Sequence, residues 1–345
     1  HIGCVWRAEK PQFGRYREFM QCDFDSIGSR HVASDIETAL VIHDLLQSQG
    51  FERFTIRLNS RQILNGILDT VGLLDQSATV LRSLDKLAKV GRTVVVNELQ
   101  DKAGASSAQV DQILELADLK GTNQQILNDL KPMVSGNDTG EAGLARLHAI
   151  VDGFEAAGAN AARLRIDASI ARGLDYYTGA VFETILDDLP SIGSVCSGGR
   201  YDDLAAVYTK QELPGIGASL GLDRLLTAQE KLGMIPKVHT PAQILIPYFD
   251  ETGLPQYLKL AGQLRREGFR VEVFPEPKKL GQQLKYADRR GFAVAIIQGR
   301  DELEQGVCQV KDLRSGEQKE VVTDDIQILV RHLNDLLNDR NSPAV

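Results

Sequence analysis

The chain has 345 residues, enough for two or three domains, and its hydrophobic content of 43% and charged content of 25% are those of an ordinary globular protein. It has no apolar run near the roughly 20 residues that span a bilayer and no signal peptide, so we expect a cytoplasmic protein without a membrane partner. The formal net charge of −8 argues against a surface coated with phosphate-binding residues, although local basic patches can coexist with a negative total.

The first 30 residues are dense in arginine, carboxylate and aromatic side chains. Residues 5–9 and 17–25 alternate in side-chain character with a period of two, and Pro11 and Gly14 stand between them. This pattern predicts two antiparallel strands joined by a long, basic loop.

A helix, a strand and a long helical segment are predicted next. Ser34 begins the helix, with Glu37 placed to complete a capping box. Residues 54–58 alternate as a strand does. From about residue 60 to 160 the chain is rich in helix formers with heptad-like apolar spacing, which predicts a helical insertion between strands of one sheet.

Strands return after the insertion. They are predicted at residues 163–167, 180–186 and 193–197, and the glycine-rich strand 215–221 leads into a helix at Leu222. We therefore expect residues 1–232 to form one α+β core with an antiparallel sheet, interrupted by the helical insertion.

The residues after a predicted linker at 233–241 show a different pattern of predicted secondary structure. Short apolar strands alternate with helical stretches over residues 242–299, and a hairpin and a last helix follow. Such alternation predicts a second domain, residues 242–339, with a mainly parallel sheet. The fold class predicted for the whole chain is α/β.

The first segment carries a motif. Arg7, Glu9, the run Gly14-Arg15-Tyr16-Arg17-Glu18-Phe19, Gln21 and Asp25 resemble motif 2 of the class II aminoacyl-tRNA synthetases, in its histidyl version. The chemistry agrees, because activation of an amino acid places negative charge on the α-phosphate of ATP, and a permanently charged guanidinium can stabilise it. A solvated basic hairpin is the alternative interpretation.

Two further blocks follow in the order of that family. Residues 171–179, with the sequence ARGLDYYTG, resemble the histidyl signature, although a tyrosine pair packed at a sheet end gives the same pattern. Residues 198–202 (GGRYD) and 215–224 (GIGASLGLDR) resemble motif 3, although such glycines also mark bulges and tight packing.

The resemblance implies roles for individual residues. Asp25 and Tyr177 would supply the acceptor and the hydroxyl that the imidazole of histidine requires. The implied set is catalytic Arg172 and Arg7; histidine-binding Gln21, Asp25, Arg172, Tyr176 and Tyr177; and ATP-binding Arg7, Glu9, Arg15, Phe19 and Arg224.

The second domain resembles the anticodon-binding domain of the class IIa synthetases. Its basic helix would bind tRNA through Lys278, Lys279 and Lys285, with Tyr286 stacking on an unpaired base. A basic helix is also commonly just a solvated face.

The resemblance as a whole implies ATP-dependent ligation of L-histidine to tRNA(His) through a histidyl-adenylate, by a homodimer. It implies Mg²⁺ carried with ATP; no metal site is predicted, since the four cysteines are scattered. Motif 1 and the loop that holds the substrate ammonium group would lie upstream of His1, so we interpret the sequence as part of a longer chain. The alternative is a catalytically silent, synthetase-like regulatory protein that binds histidine or tRNA.

Overall fold

The computed structural model describes residues 1–8, 10–170, 176–235, 240–249 and 251–338, without the side chains of residues 88 and 89. The chain divides into two compact units, His1–Ile235 and Pro236–Val345. Each unit has its own hydrophobic core. Within these described ranges, no helix combines the length and the apolar character needed to cross a membrane.

The first unit is built on a seven-stranded sheet with the order β1-β2-β7-β6-β5-β3-β4. Neighbouring strands are antiparallel except β3 and β4, which are parallel. The strands are β1 (Ile2–Trp6), β2 (Glu18–Ile27), β3 (Phe54–Ser60), β4 (Leu164–Ile166), β5 (Ala180–Leu186), β6 (Ser194–Arg200) and β7 (Gly215–Gly221).

Two predicted boundaries in this unit differ from the structure. The first strand lies at Ile2–Trp6 rather than at residues 5–9, because the apolar residues before Trp6 pair with β2. Helix α1 (Val32–Ser48) begins two residues before Ser34, because the side chain of His31 accepts a hydrogen bond from the main-chain nitrogen of Ala33 at 3.2 Å and caps it.

The helical insertion predicted between the strands is present between β3 and β4. Ser106 and Gln109 form a capping box at the start of α6, and Thr122 and Gln125 form one at the start of α7. The helices are α2 (Arg61–Thr70), α3 (Ser77–Leu84), α4 (Leu87–Val90), α5 (Arg92–Ala103), α6 (Ser107–Asp118), α7 (Asn123–Val134) and α8 (Asp138–Ala156). Helix α9 (Leu222–Lys231) follows β7.

A buried ion pair ties the sheet to the helices behind it. Arg200 in β6 donates to the two carboxylate oxygens of Asp35 in α1 at 3.1 and 3.0 Å, and both side chains are almost fully shielded from solvent. The remaining guanidinium nitrogen of Arg200, Nη1, donates to Ser29 O and to the Asp202 carboxylate, both at 2.9 Å. Burial opposes the charge, but the hydrogen bonds to Asp35 and Asp202 outweigh it and raise the pKa of Arg200. Arg146 of α8 also approaches Asp35, at 3.5 Å.

The second unit contains a five-stranded sheet with the order β12-β11-β10-β8-β9. Strand β8 pairs in parallel with β9 and β10, whereas β10, β11 and β12 pair antiparallel, so the sheet is mixed rather than mainly parallel. The strands are β8 (Ile244–Ile246), β9 (Val271–Val273), β10 (Val294–Ile297), β11 (Val307–Asp312) and β12 (Gln318–Val322), and the helices are α10 (Leu254–Arg266), α11 (Leu280–Arg290), α12 (Arg300–Gln305) and α13 (Ile326–Asn338). The α/β fold class with an antiparallel core and a helical insertion is confirmed.

We expect Asp35→Ala to lower the free energy of unfolding of the chain by about 3–5 kcal/mol, because it leaves the buried Arg200 guanidinium without its main partner. Urea unfolding followed by circular dichroism measures this. The matched control is Asp188→Ala, which removes an exposed pair with Arg53 and should cost less than about 1 kcal/mol. Equal effects of the two variants would contradict the importance of the buried pair.

Candidate active site

Alternate residues of three neighbouring strands share one face of the seven-stranded sheet. Asp25 of β2 lies opposite Gly217 of β7, which lies opposite Gly199 of β6. In the same way Asp23 lies opposite Ser219. Because side chains alternate along a strand, the odd-numbered residues of β2 and β7 project to this side, together with Ser197 and Gly199 of β6. We call it the polar face.

The opposite side of the same strands is apolar and belongs to the core. Phe24, Ala218 and Leu220 pack there, together with Cys196. Burial raises the pKa of the Cys196 thiol, which therefore stays protonated. The sheet thus has a core side and an opposite side on which the described side chains are mainly polar.

Three glycines form the floor of the polar face. A Cβ atom at Gly217 would collide with the carboxylate of Asp25 and with the carbonyl oxygen of Phe24. A Cβ atom at Gly199 would lie 3.0 Å from the ring of Tyr177, and one at Gly215 would collide with the ring of Tyr201. The absence of side chains here lets the carboxylate and the two rings lie directly on the main chain of the sheet.

A cluster of three tyrosines meets Asp25 through Tyr201. The rings of Tyr176 and Tyr177 meet edge to face with centroids 4.8 Å apart, and Tyr176 meets Tyr201 in the same way at 6.2 Å. The Tyr201 hydroxyl donates a hydrogen bond to Asp25. Burial raises the pKa of both Tyr177 and Tyr201, and for Tyr201 the hydrogen bond to Asp25 adds to the effect. Both phenols therefore remain protonated donors at neutral pH.

Tyr201 is a site residue that was not predicted from the sequence. Its motif, GGRYD, is visible, but nothing in the residue order says that its hydroxyl reaches Asp25. Strand alternation is the sequence signal that could have identified Tyr201, because it is two residues from Gly199 and so lies on the same face. In the structure the main-chain nitrogen of Tyr201 donates to Gly215 O at 2.7 Å.

The other end of the polar face is basic. The main-chain nitrogen of Arg7 continues the β1–β2 pairing to Arg17 O at 2.8 Å, and the Arg7 guanidinium lies 5.1 Å from the centroid of the Phe19 ring. Gln21 donates from Nε2 to the hydroxyl of Ser219 at 2.5 Å. Of the predicted residues, Arg7, Phe19, Gln21 and Asp25 are therefore arranged along one strand pair, from a cationic to an anionic end.

The loop between β1 and β2 is fixed by Arg224. The Arg224 side chain donates to Gly14 O at 3.1 Å and to Ser194 O. Gly14 has a φ of 67°, which favours glycine, and it is buried against Ile192. In this structure Arg224 thus holds the loop, which contains Arg15, against the start of β6. The predicted Glu9 and Arg172 lie outside the described residues.

The chain is similar to known proteins along most of its length. The histidyl-tRNA synthetase family model matches residues 1–225, which is more than half of the chain. The chain belongs to the histidyl-tRNA synthetase family. The anticodon binding domain model matches residues 243–332.

Individual relatives cover most of the chain. It is 57% identical to the histidine–tRNA ligase of Rhodopirellula baltica and 43% identical to that of Wolinella succinogenes, with 93% of this chain and 73% of each relative aligned. The crystal structure of histidyl-tRNA synthetase from Nostoc sp. PCC 7120 matches with a TM-score of 0.71 and 32% identity, covering 96% of this chain and 77% of that one.

The predicted tRNA-binding lysines lie in the unit that matches the anticodon binding family. Lys278 and Lys279 are exposed and line an open cleft of about 600 Å³ together with Phe249, Pro277 and Gln282. Buried Gln283 ties the main chain at Lys278 to that at Tyr248, because its amide donates to the carbonyl oxygens of both residues at 2.7 Å. Lys285 is exposed on α11.

Tyr286 has a different environment from that expected for a base-stacking residue. Its ring packs against Phe274 at 5.3 Å and Phe292 at 5.9 Å between centroids, and its hydroxyl donates to Glu272 at 2.7 Å. That hydrogen bond raises the pKa of Tyr286. The ring is part of the packing of the second unit, so the lysines are the better candidates for nucleic-acid contacts.

The described residues contain no group of three or more His, Cys, Asp or Glu side chains placed to bind a metal ion. This finding concerns the protein ligands alone. Metal carried by a nucleotide's phosphates does not require such a group.

We expect Gly217→Ala to lower the free energy of unfolding by about 1–3 kcal/mol, because the new methyl group must displace the Asp25 carboxylate and the β2 main chain. Ser197→Ala is the control, since it truncates an exposed side chain on the same face and should change stability by less than about 0.5 kcal/mol. Urea unfolding of both variants tests this. A Gly217→Ala protein as stable as the control would show that the floor tolerates side chains.

Proposed function

We propose that this chain catalyses the ATP-dependent ligation of L-histidine to tRNA(His) through a histidyl-adenylate, as part of a homodimer. The observation that carries the proposal is the polar face itself. At one end of this face Asp25 accepts a hydrogen bond from Tyr201, which belongs to a cluster of three tyrosines, and at the other end the Arg7 guanidinium lies over the Phe19 ring. The chain is also 57% identical to a histidine–tRNA ligase.

Selection of histidine is assigned to Asp25, Tyr176 and Tyr177. An imidazole ring offers one N–H donor and one lone pair. Asp25 accepts from the N–H, and the protonated hydroxyl of Tyr177 donates to the lone pair. Because the Tyr201 hydroxyl already bonds to one oxygen of Asp25, it fixes the carboxylate so that the other oxygen faces the ligand. A wrong amino acid would leave these polar groups unpaired, which gives strong discrimination.

Activation is assigned to the basic end. The carboxylate of histidine attacks the α-phosphate of ATP, pyrophosphate leaves, and the negative charge of the transition state is stabilised by Arg7 and Arg172. Phe19 supports the adenine ring, and Glu9, Arg15 and Arg224 complete the nucleotide contacts. Mg²⁺ bound to the phosphates neutralises part of their charge. A ribose hydroxyl at the tRNA end then attacks the adenylate carbonyl and releases AMP.

The two units have different roles in this proposal. Residues 1–232 carry the chemistry, with the insertion at about 60–160, and residues 242–339, after the linker at 233–241, bind the tRNA. Exposed Lys278, Lys279 and Lys285 supply positive charge for tRNA phosphates despite the formal net charge of −8.

The test of catalysis is histidine-dependent ATP–pyrophosphate exchange by the protein that carries this chain. We expect exchange with histidine and not with other amino acids. Asp25→Ala should raise the KM for histidine roughly 10-fold or more, because a charged hydrogen bond is lost, and should change the KM for ATP less than about 2-fold. Asp44→Ala, at an exposed position on α1, is the control.

Histidine binding without exchange would favour the silent regulatory alternative. Equal losses for histidine and ATP in Asp25→Ala would remove Asp25 from the imidazole pocket.

The test of the second unit uses charge reversal. A Lys278→Glu/Lys279→Glu variant should raise the KM for tRNA roughly 10-fold or more in the charging reaction, because phosphate contacts become repulsive, and should leave pyrophosphate exchange unchanged. A Lys259→Glu/Arg266→Glu variant, at two exposed positions on α10, makes the same change in net charge and is the control. If both variants weaken tRNA equally, the cleft is not the binding surface.

A further inference from the structure

The cleft of the second unit lies beyond the carboxyl ends of two parallel strands. Phe249 follows β8, and the other residues that line the cleft, from Pro277 to Gln282, follow β9. Strand β8 lies between β9 and β10, so the crossovers from β8 to β9 and from β9 to β10 run in opposite directions across the sheet. Because such crossovers are right-handed, their helices cover opposite faces of the sheet, and a crevice opens between the two loops. Open α/β sheets bind their ligands in a crevice of this kind.

Phe249 is the aromatic side chain that this cleft offers to a ligand. Among the described aromatic residues of the second unit, all except Phe249 and Tyr286 are buried. The ring of Tyr286 is packed against Phe274 and Phe292. The Phe249 ring is half-buried and meets the Tyr257 ring edge to face, with the centroids 6.5 Å apart. Phe249 is therefore supported by Tyr257 and still borders the cleft.

A buried amide fixes the main chain next to Phe249. The Gln283 side chain is fully shielded from solvent, and its Oε1 accepts from Tyr248 N at 2.8 Å. Its Nε2 donates to the carbonyl oxygens of Tyr248 and Lys278, both at 2.7 Å. Gln283 thus joins the loop after β8 to the loop after β9, and these loops are the two walls of the cleft. A ring on a fixed main chain loses little conformational freedom when it binds a flat ligand.

The polar groups of the cleft are those that a nucleotide requires. The exposed amide of Gln282 offers both donors and an acceptor. Lys278 pairs with exposed Glu276 at 2.5 Å, whereas Lys279 forms no ion pair within the described part of the second unit. The volume of about 600 Å³ is within the roughly 300–1,000 Å³ of pockets for small organic ligands. A flat ring, an amide and a cation together complement the face, the edge and the phosphate of one unpaired nucleotide.

We propose that the cleft binds one unpaired base of the tRNA, with Phe249 stacked on the base and Gln282 hydrogen-bonded to its edge. The inference rests on the proposed function, since it takes tRNA as the ligand of the second unit. Lys279 contacts the phosphate beside this base, and Gln283 is a positioning residue that acts through the two loops it joins. Because a paired base is already stacked on its neighbours, the cleft selects a loop of the tRNA rather than a helical stem.

Stacking and phosphate binding are separated by their dependence on salt. Each contact between a lysine and a phosphate releases counterions, whereas a contact with a neutral ring does not. Filter binding of tRNA(His) to the protein that carries this chain, at a series of salt concentrations, gives Kd and the slope of log Kd against log salt. We expect Phe249→Leu to raise Kd roughly 5- to 100-fold without changing the slope, because the side chain stays apolar but loses its ring. Lys279→Ala should raise Kd and lower the slope by about 0.7.

Two further variants show whether the ring itself is responsible. Phe249→Tyr retains a flat ring and is expected to bind tRNA within about 2-fold of the unmodified protein. Leu258→Ala removes an exposed apolar side chain from α10 of the same unit and is the control for loss of apolar surface. It should leave both Kd and the slope unchanged.

Recognition of the base edge is tested with altered tRNA. Bases of the unpaired loops are replaced one at a time, and we expect one position at which replacement raises Kd roughly 10-fold for the unmodified protein. Gln282→Met keeps the length of the side chain but removes its amide. With this variant the same replacement should change Kd less than about 2-fold, because no hydrogen bond remains to be lost.

Unchanged tRNA binding by Phe249→Leu would overturn the inference. Equal weakening by Phe249→Leu and Phe249→Tyr would also overturn it, because the ring would then serve only the packing of the second unit. An undiminished base preference in Gln282→Met would remove Gln282 from the site. Failure of the unmodified protein to bind tRNA would instead contradict the role of the second unit in the proposed function.

Discussion

The guanidinium of Arg200 is buried behind the sheet, where four hydrogen bonds to Asp35, Asp202 and Ser29 O hold it. Burying a pair of charges costs several kcal/mol of desolvation, which an ion pair recovers only with good geometry and full hydrogen bonding. The carbonyl of the same residue accepts from Thr178 N at 2.8 Å, next to Tyr177, and the next residue is Tyr201. The hydrogen bonds of the Arg200 side chain on the core side therefore also fix the main chain that carries Tyr177 and Tyr201 on the polar face.

On the polar face, opposite charges are separated along the β1–β2 strand pair. Arg7, which follows β1, lies at one end of this pair, and the carboxylates of Asp23 and Asp25 lie toward the other end of β2, so an amphoteric ligand bound here would favour the orientation with its carboxylate toward the arginine. Since β2 is hydrogen-bonded on both sides, to β1 and β7, these groups need little rearrangement when a ligand binds. Rigid placement of this kind lowers the entropic cost of bringing two reactants together.

The sequence was informative wherever local patterns decide the structure. Alternation over residues 17–25 predicted a strand there, and in the structure the register of β2 places Gln21 and Asp25 on the same face. It was uninformative about Tyr201, because the contact with Asp25 spans 176 residues and depends on the register of three strands. The sequence also did not predict the environment of Tyr286, because its contacts with Phe274 and Phe292 depend on the tertiary packing of the second unit. The start of α1 was missed because histidine is an uncommon capping residue.

The three floor glycines also limit how the polar face can change. At Gly199, Gly215 and Gly217 the main chain itself is the surface, so any side chain added there would fill space above the sheet. The width and polarity of this face are set instead by wall residues such as Asp25, Tyr177 and Tyr201. Directed evolution toward another amino acid should therefore randomise the walls and keep the floor constant, and lineages that diverge in specificity are expected to share the glycines and differ in the walls.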